Sequence, residues 1–267
     1  MFFFPGCNLR CPWCHNRELI TGEAKDLTSL EDALAHLRKR RRVLGGVVLS
    51  GGEPCLWETL PDLIAEIKAI PLPVKLDTNG MFPAMLEKLF SREETRPDYI
   101  ALDLKIAPAR YAELVNFPQE NKNIPRRNTE EHGEKKKYVE TPDSNKLADK
   151  LIQSATLIRE SGIAVGNGEA IAHEYRTLAL PGGYISESDI EALAPLADNA
   201  PWYFRPFAGG NCLESAWDRL EEPAAEARAR LEALARKARE LGKAACVPEL
   251  NKEILPRTTL TPRTEGE

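Results

Sequence analysis

The sequence predicts an α/β protein in which helices cover a parallel sheet. Short apolar runs alternate with amphipathic stretches along most of the 267 residues, and each run breaks off abruptly into polar residues. At 42% hydrophobic content the chain can bury a large core, and an α/β barrel reaches this length undivided. In parallel α/β folds the chemistry gathers at the carboxyl ends of the strands, so the residues that end each run are the ones to inspect.

A short apolar strand precedes Cys7. The spacing of Leu30, Ala33, Leu34 and Leu37 behind a Thr28-x-x-Glu31 capping box predicts the first long helix. Its end carries Arg38, Lys39, Arg40, Arg41 and Arg42, where cations complement the macrodipole. Val47-Val48-Leu49 then forms a strand ending at Ser50-Gly51-Gly52, and Leu60, Leu63, Ile64 and Ile67 repeat the helical spacing. Val74-Lys75-Leu76 and Tyr99-Ile100-Ala101-Leu102 read as further buried strands. Later helices are marked by Leu147, Leu151, Ala155 and Ile158 stopping at Gly162, and by Ile190, Leu193 and Leu196 after Ser186. Another is marked by Leu231, Leu234, Ala238 and Leu241 between Pro223 and Gly242. The stretch 119–137 breaks the rhythm with charge, Asn and Pro125; composition leaves open a solvated insertion and a lid or docking loop.

A formal charge of -5 and a pI near 5.6 give no reason to expect nucleic acid or an anionic membrane as partner. No stretch approaches the ~20 apolar residues of a membrane span, and Met1 to Phe4 is too short for a signal peptide. A cytoplasmic protein is expected. Six cysteines are too few and too uneven for a disulfide scaffold, and three of them fall between Cys7 and Cys14, which points to a metal site.

Cys7, Cys11 and Cys14 stand at C-x3-C-x2-C spacing in a loop. A cubane cluster has four irons, so three thiolates leave one iron without a protein ligand, open to a substrate. The competing reading is a Cys3His zinc site with His15 as fourth ligand. Adjacent Cys14 and His15 make poor tetrahedral partners, and the chain has no second C-x2-C. Cys55, Cys212 and Cys246 form no such pair, so no second cluster is expected.

The cluster loop, with aromatic Trp13 before Cys14, resembles the radical S-adenosylmethionine (SAM) superfamily. A further match is Gly51-Gly52-Glu53, similar to the family's motif in which a strand edge and a Glu receive the SAM amino group. Glycines let a ligand approach the backbone, and a carboxylate complements an ammonium. Asp77-Thr78-Asn79-Gly80 and Asp103-Leu104-Lys105 resemble the glycyl-radical-enzyme activases, as does Cys14-His15-Asn16-Arg17. Glu174-Tyr175-Arg176-Thr177 and Tyr203 to Phe207 are similar to later strands of the subgroup that activates anaerobic ribonucleotide reductase.

This resemblance implies a partial (β/α)6 TIM-like barrel over residues 1–220, with a C-terminal helix and tail, 221–267, packed on it. It implies a [4Fe-4S] cluster on Cys7, Cys11 and Cys14, and SAM held by Trp13, His15, Asn16, Gly51, Gly52, Glu53, Asp77, Thr78, Asn79, Asp103, Lys105 and Arg176. Lys105 lies at the SAM carboxylate in this scheme, and Asp77 and Asp103 hold a monovalent cation beside it. The implied activity is hydrogen abstraction from a glycine of a large glycyl radical enzyme, with flavodoxin or ferredoxin as electron donor. A small-molecule radical SAM enzyme such as 7-carboxy-7-deazaguanine synthase and a non-enzymatic zinc-stabilised adaptor are the alternatives.

Overall fold

A computed structural model of the chain describes residues 1–25, 27–115, 144–164, 171–220 and 222–247. The charged stretch 119–137 and the tail beyond residue 247 lie outside the described residues.

Among the described residues seven strands form one sheet in chain order: β1 (Phe2–Phe4), β2 (Val47–Gly51), β3 (Val74–Thr78), β4 (Tyr99–Asp103), β5 (Ala172–Ala179), β6 (Trp202–Pro206) and β7 (Ala245–Cys246). Every neighbouring pair is parallel. Sequential parallel strands joined by helices wind one way, as in a TIM barrel, but here β1 and β7 remain edges and the barrel stays open. The strands are linked through α1 (Arg17–Thr21), α2 (Leu30–Arg40), α3 (Leu60–Ala69), α4 (Pro83–Phe90), α5 (Ser144–Ala164), α6 (Glu187–Leu193), α7 (Ser215–Asp218) and α8 (Ala224–Glu240). The expectation of six strands is exceeded by β7, which follows α8 and pairs with β6; α8 packs on α6 and across β5, β6 and β7. Among the described residues no helix is long and apolar enough to cross a membrane.

Local chemistry explains the element boundaries. The N-cap of α2 is Ser29, not Thr28: its hydroxyl accepts from Asp32 N at 3.0 Å and donates to the Asp32 carboxylate. Ser186 caps α6 with a reciprocal contact from Asp189, as the sequence pattern there leads one to expect. The helix marked by Leu147 to Ile158 runs past Gly162 to Ala164.

The strands are two-faced. Toward the helices point Val47 and Leu49, Val74 and Leu76, Ile100 and Leu102, Tyr175, Trp202 and Phe204, at most 3% exposed, and these form the core. The opposite, concave face carries Ser50, Lys75, Asp77, Tyr99, Asp103, Glu174 and Arg176, which bond to one another. Strands of a closed parallel sheet are apolar on both faces; an open barrel keeps one face wet, so alternation replaces the fully buried run that the sequence predicts. Low in the concave face, Lys75 Nζ lies 2.9 Å from Glu174 and 4.8 Å from the centre of the Tyr99 ring, whose hydroxyl donates to Glu174.

Candidate active site

The loop 5–16, between β1 and α1, lies over the carboxyl ends of β1 to β4. Two bonds sew it to the end of β2, Glu53 N to Gly6 O at 2.9 Å and the Asn16 amide to Gly51 O at 2.7 Å, and Gly52 N donates to Phe4 O, at the end of β1, at 2.8 Å. The approach is so close that a Cβ on Gly52 would lie 1.8 Å from the Gly6 carbonyl oxygen, and Gly51 sits at φ +112° with the Phe4 backbone against it. Both glycines are thus required by the backbone itself.

Glu53 joins the same construction from beneath. It is 1% exposed; Oε1 accepts from Cys55 N at 3.0 Å and Thr78 Oγ1 at 2.8 Å, and Oε2 from Asn79 N at 2.7 Å. Burial raises its proton affinity more than these bonds lower it. The carboxylate therefore ties the end of β2 to the end of β3. Thr78 spends its hydroxyl on Glu53, and Asn79 reaches back to the loop, donating to Asn8 Oδ1 at 2.9 Å and toward Cys7 Sγ at 3.7 Å.

Cys7, Cys11 and Cys14 line one cavity of about 430 Å³, together with Trp13, His15, Asn16, Gly51, Gly52, Glu53, Asp77, Thr78, Asn79, Asp103, Lys105 and Arg176. Every candidate from the sequence thus borders the same space. Burial pushes the Cys7 thiol up to about 11 and Cys11 to about 12, and raises Cys14; Lys105 opposes the rise at all three. A thiol in such surroundings ionises only against positive charge, which the irons of a cluster provide. Leu9 N at 3.4 Å and the Asn79 amide donate to Cys7 Sγ, contacts suited to a metal-bound thiolate. Among the described residues no three His, Cys, Asp or Glu side chains converge on a point that would hold one metal ion. A cubane instead spreads its ligands over separate irons, and the donor set fits it.

His15 faces away from a zinc role. Its ring stacks on Phe207 at 5.8 Å and 22°, with Nε2 buried and lacking a hydrogen-bond partner among the described residues, and its carbonyl accepts from Asn211. Trp13, 4% exposed, packs edge-on against Tyr184 at 5.0 Å and against Trp217 at 5.4 Å. Such aromatic pairs contribute about 0.5–1.5 kcal/mol each beyond burial. With Glu214 N bonded to Pro12 O, the segment 207–217 clamps the outer side of the loop. Trp217 is part of this clamp, and the sequence between β6 and α8 gives no periodic signal of it.

The far wall is charged. Asp103 accepts from Arg176 Nε at 2.9 Å on one oxygen and from Lys105 Nζ at 3.0 Å on the other. Asp77 Oδ2 accepts from Ser50 at 3.0 Å and lies 3.2 Å from Arg176 Nη1. Burial alone would raise Asp103, but the two cations hold it down at about 2. For Lys105 and Arg176 burial works the other way, and the carboxylates overcome it to hold both firmly charged. Buried Tyr111 supports the wall by accepting from Lys105 N at 3.1 Å, a role carried by no motif. Where the resemblance expects a monovalent cation between Asp77 and Asp103, the structure has the Arg176 guanidinium, so the residues do not fit a metal ion there.

A thiol-lined loop docked on a Gly-Gly edge, at the strand ends of an open parallel barrel, defines a radical SAM site. The profile of the radical SAM superfamily matches residues 1–135, just over half of the 267, and the chain belongs to that superfamily. Among relatives, it is 32% identical over 128 residues to a candidate glycyl-radical enzyme activating enzyme of Methanocaldococcus jannaschii, covering 46% of this chain and 50% of the relative. It is 32% identical over 108 residues to the pyruvate formate-lyase 1-activating enzyme of Escherichia coli, covering 39% of this chain and 44% of the relative. It is 38% identical over 80 residues to the 7-carboxy-7-deazaguanine synthase of Hyperthermus butylicus, covering 30% and 33%. These matches span between a third and a half of the relatives' lengths. The fold is similar to that of Streptococcus suis SuiB, with a TM-score of 0.57 at 14% identity over 92% of this chain and 48% of that one.

Proposed function

We propose that this chain is a radical SAM activase that abstracts one hydrogen from a glycine of a large partner enzyme. The partner in this reading is an anaerobic ribonucleotide reductase, whose activating proteins the later strands resemble in sequence. One observation carries the proposal: three thiols, a Gly-Gly strand edge and Lys105 border a single cavity at the carboxyl ends of parallel strands. Similarity to the Methanocaldococcus jannaschii and Escherichia coli activating enzymes supports glycine as the hydrogen donor.

Cys7, Cys11 and Cys14 would hold the [4Fe-4S] cluster, which with bound SAM supplies one-electron cleavage of the sulfonium to methionine and a 5'-deoxyadenosyl radical. Flavodoxin or ferredoxin is the electron donor of this reading, in the cytoplasm. The chain's own residues bind and orient. Lys105, charged and fixed by Asp103 and Tyr111, meets the SAM carboxylate; the Gly51-Gly52 edge receives the methionine part; the aromatic clamp on Trp13 excludes water. No side chain has to act as a general acid or base.

The test mixes anaerobically reconstituted, reduced protein with SAM and a candidate anaerobic ribonucleotide reductase and records the electron paramagnetic resonance spectrum. A glycyl doublet is the expected result. Similarity to the Hyperthermus butylicus protein favours a second reading, a 7-carboxy-7-deazaguanine synthase. Conversion of 6-carboxytetrahydropterin with no doublet would establish it. Stoichiometric zinc without SAM cleavage would refute both.

A further inference from the structure

Asp77 and Asp103 end neighbouring strands, and Arg176 stands opposite Asp103 in the β4–β5 register. We propose that Arg176 is the resident cation of this site: its guanidinium takes the place of an alkali metal ion, and the chain works without one.

The oxygen inventory supports this. Both Asp103 oxygens are occupied, one by Arg176 and one by Lys105. Asp77 Oδ2 is shared by Ser50 and Arg176, so Asp77 Oδ1 alone has no hydrogen-bond partner among these carboxylate oxygens. Hard cations gather oxygens, about six to eight for calcium, and one free oxygen makes no such site. The charges agree. Two carboxylates against one guanidinium and one ammonium sum to zero, and an added ion would face two fixed cations at contact range. A planar fork can span two carboxylates at once and never loses its proton, which a lysine could not match. Arg176 is thus a positioning residue: it sets the orientation of Asp103 and, through Asp103, of Lys105.

The test uses the full chain, reconstituted anaerobically with iron and sulfide, at one ionic strength in potassium, sodium, caesium or tetramethylammonium chloride. Melting temperature and SAM affinity by equilibrium dialysis are read in each. The wild type should give the same values in all four salts. In Arg176→Ala, SAM affinity should fall about tenfold or more in tetramethylammonium. It should recover in potassium or on adding methylguanidinium, whereas Arg176→Lys should be intermediate and indifferent to potassium. Ion-specific recovery is a response that loss of mere packing would not give. A wild type whose melting or SAM affinity responds selectively to potassium overturns the proposal, and that arm needs no variant to fold. An Arg176→Ala protein with wild-type SAM affinity in every salt overturns it too. The melting arm stands apart from the glycine chemistry, so a failed activase assay leaves it readable.

Discussion

Replacing Glu53 by Gln tests whether this carboxylate binds ligand or holds the fold. Three donors point at it: Cys55 N and Thr78 Oγ1 at one oxygen, Asn79 N at the other. An amide offers one oxygen and one NH2 group. Thr78 can rotate its hydroxyl to accept, but the two backbone N–H groups cannot turn, so in either amide orientation one of them faces another donor. A buried unpaired N–H costs about 1–3 kcal/mol. Burial of the charge raises the proton affinity of Glu53, so neutralising it returns part of that loss and the lower half of the range is expected. For a chain of this size the loss corresponds to a fall of about 2–6 °C in melting temperature. The assay is thermal unfolding of cluster-free Glu53→Gln, followed by tryptophan fluorescence under anaerobic conditions, alongside SAM affinity of the reconstituted protein. A variant that melts with the wild type but loses SAM would refute the reasoning, because the carboxylate would then face the ligand and not the strand ends.

Gly52→Ala drives a Cβ to 1.8 Å from the Gly6 carbonyl oxygen, and two backbone segments cannot both stay in place. A loss of about 1–3 kcal/mol and reduced iron per chain after reconstitution are expected; full iron content with unchanged melting would contradict the docking described. Tyr111→Phe leaves the half-buried Lys105 N–H without this acceptor, and urea unfolding should show a loss of about 1 kcal/mol with weaker SAM binding. Asp103 is lowered from its ordinary 3.8 to about 2, so the folded state binds fewer protons than the unfolded one in that window. Its contribution is complete above about pH 4 and lost as pH falls toward 2. Asp103→Asn should therefore flatten the urea midpoint between pH 4 and 2; a slope as steep as the wild type's would show that the ion pairs do not form in solution.

Much of this arrangement is legible in sequence, for a physical reason. Cys7, Cys11 and Cys14, Gly51-Gly52, Asp77 and Asp103 sit where loops leave strands, and strand ends are marked by a sudden change from apolar to polar residues. What each side chain does there is set by partners far along the chain, which spacing does not reveal. Spacing does not show that Thr78 and Asn79, on the next strand, bond to the Glu53 carboxylate. Arg176 reads as a ligand contact, and only the pairing of β4 with β5 brings its guanidinium between two carboxylates. The clamp of Tyr184, Phe207 and Trp217 on the cluster loop joins segments about 200 residues apart and belongs to no local pattern. Val74-Lys75-Leu76 reads as a buried run because two of its three residues are apolar, yet Lys75 faces the open side.

That two-faced sheet separates the protein's obligations. The helix side carries the packing that keeps the chain folded, while the concave side, held by a few polar contacts, supports little of the core. Substitutions on the helix side act first on stability, whereas on the concave side a residue such as Asp103 carries stability and the order of the site together. A scaffold divided in this way can exchange the lining of its hollow for another without rebuilding its walls, so descent from a common ancestor can leave the frame standing while the reaction inside it changes.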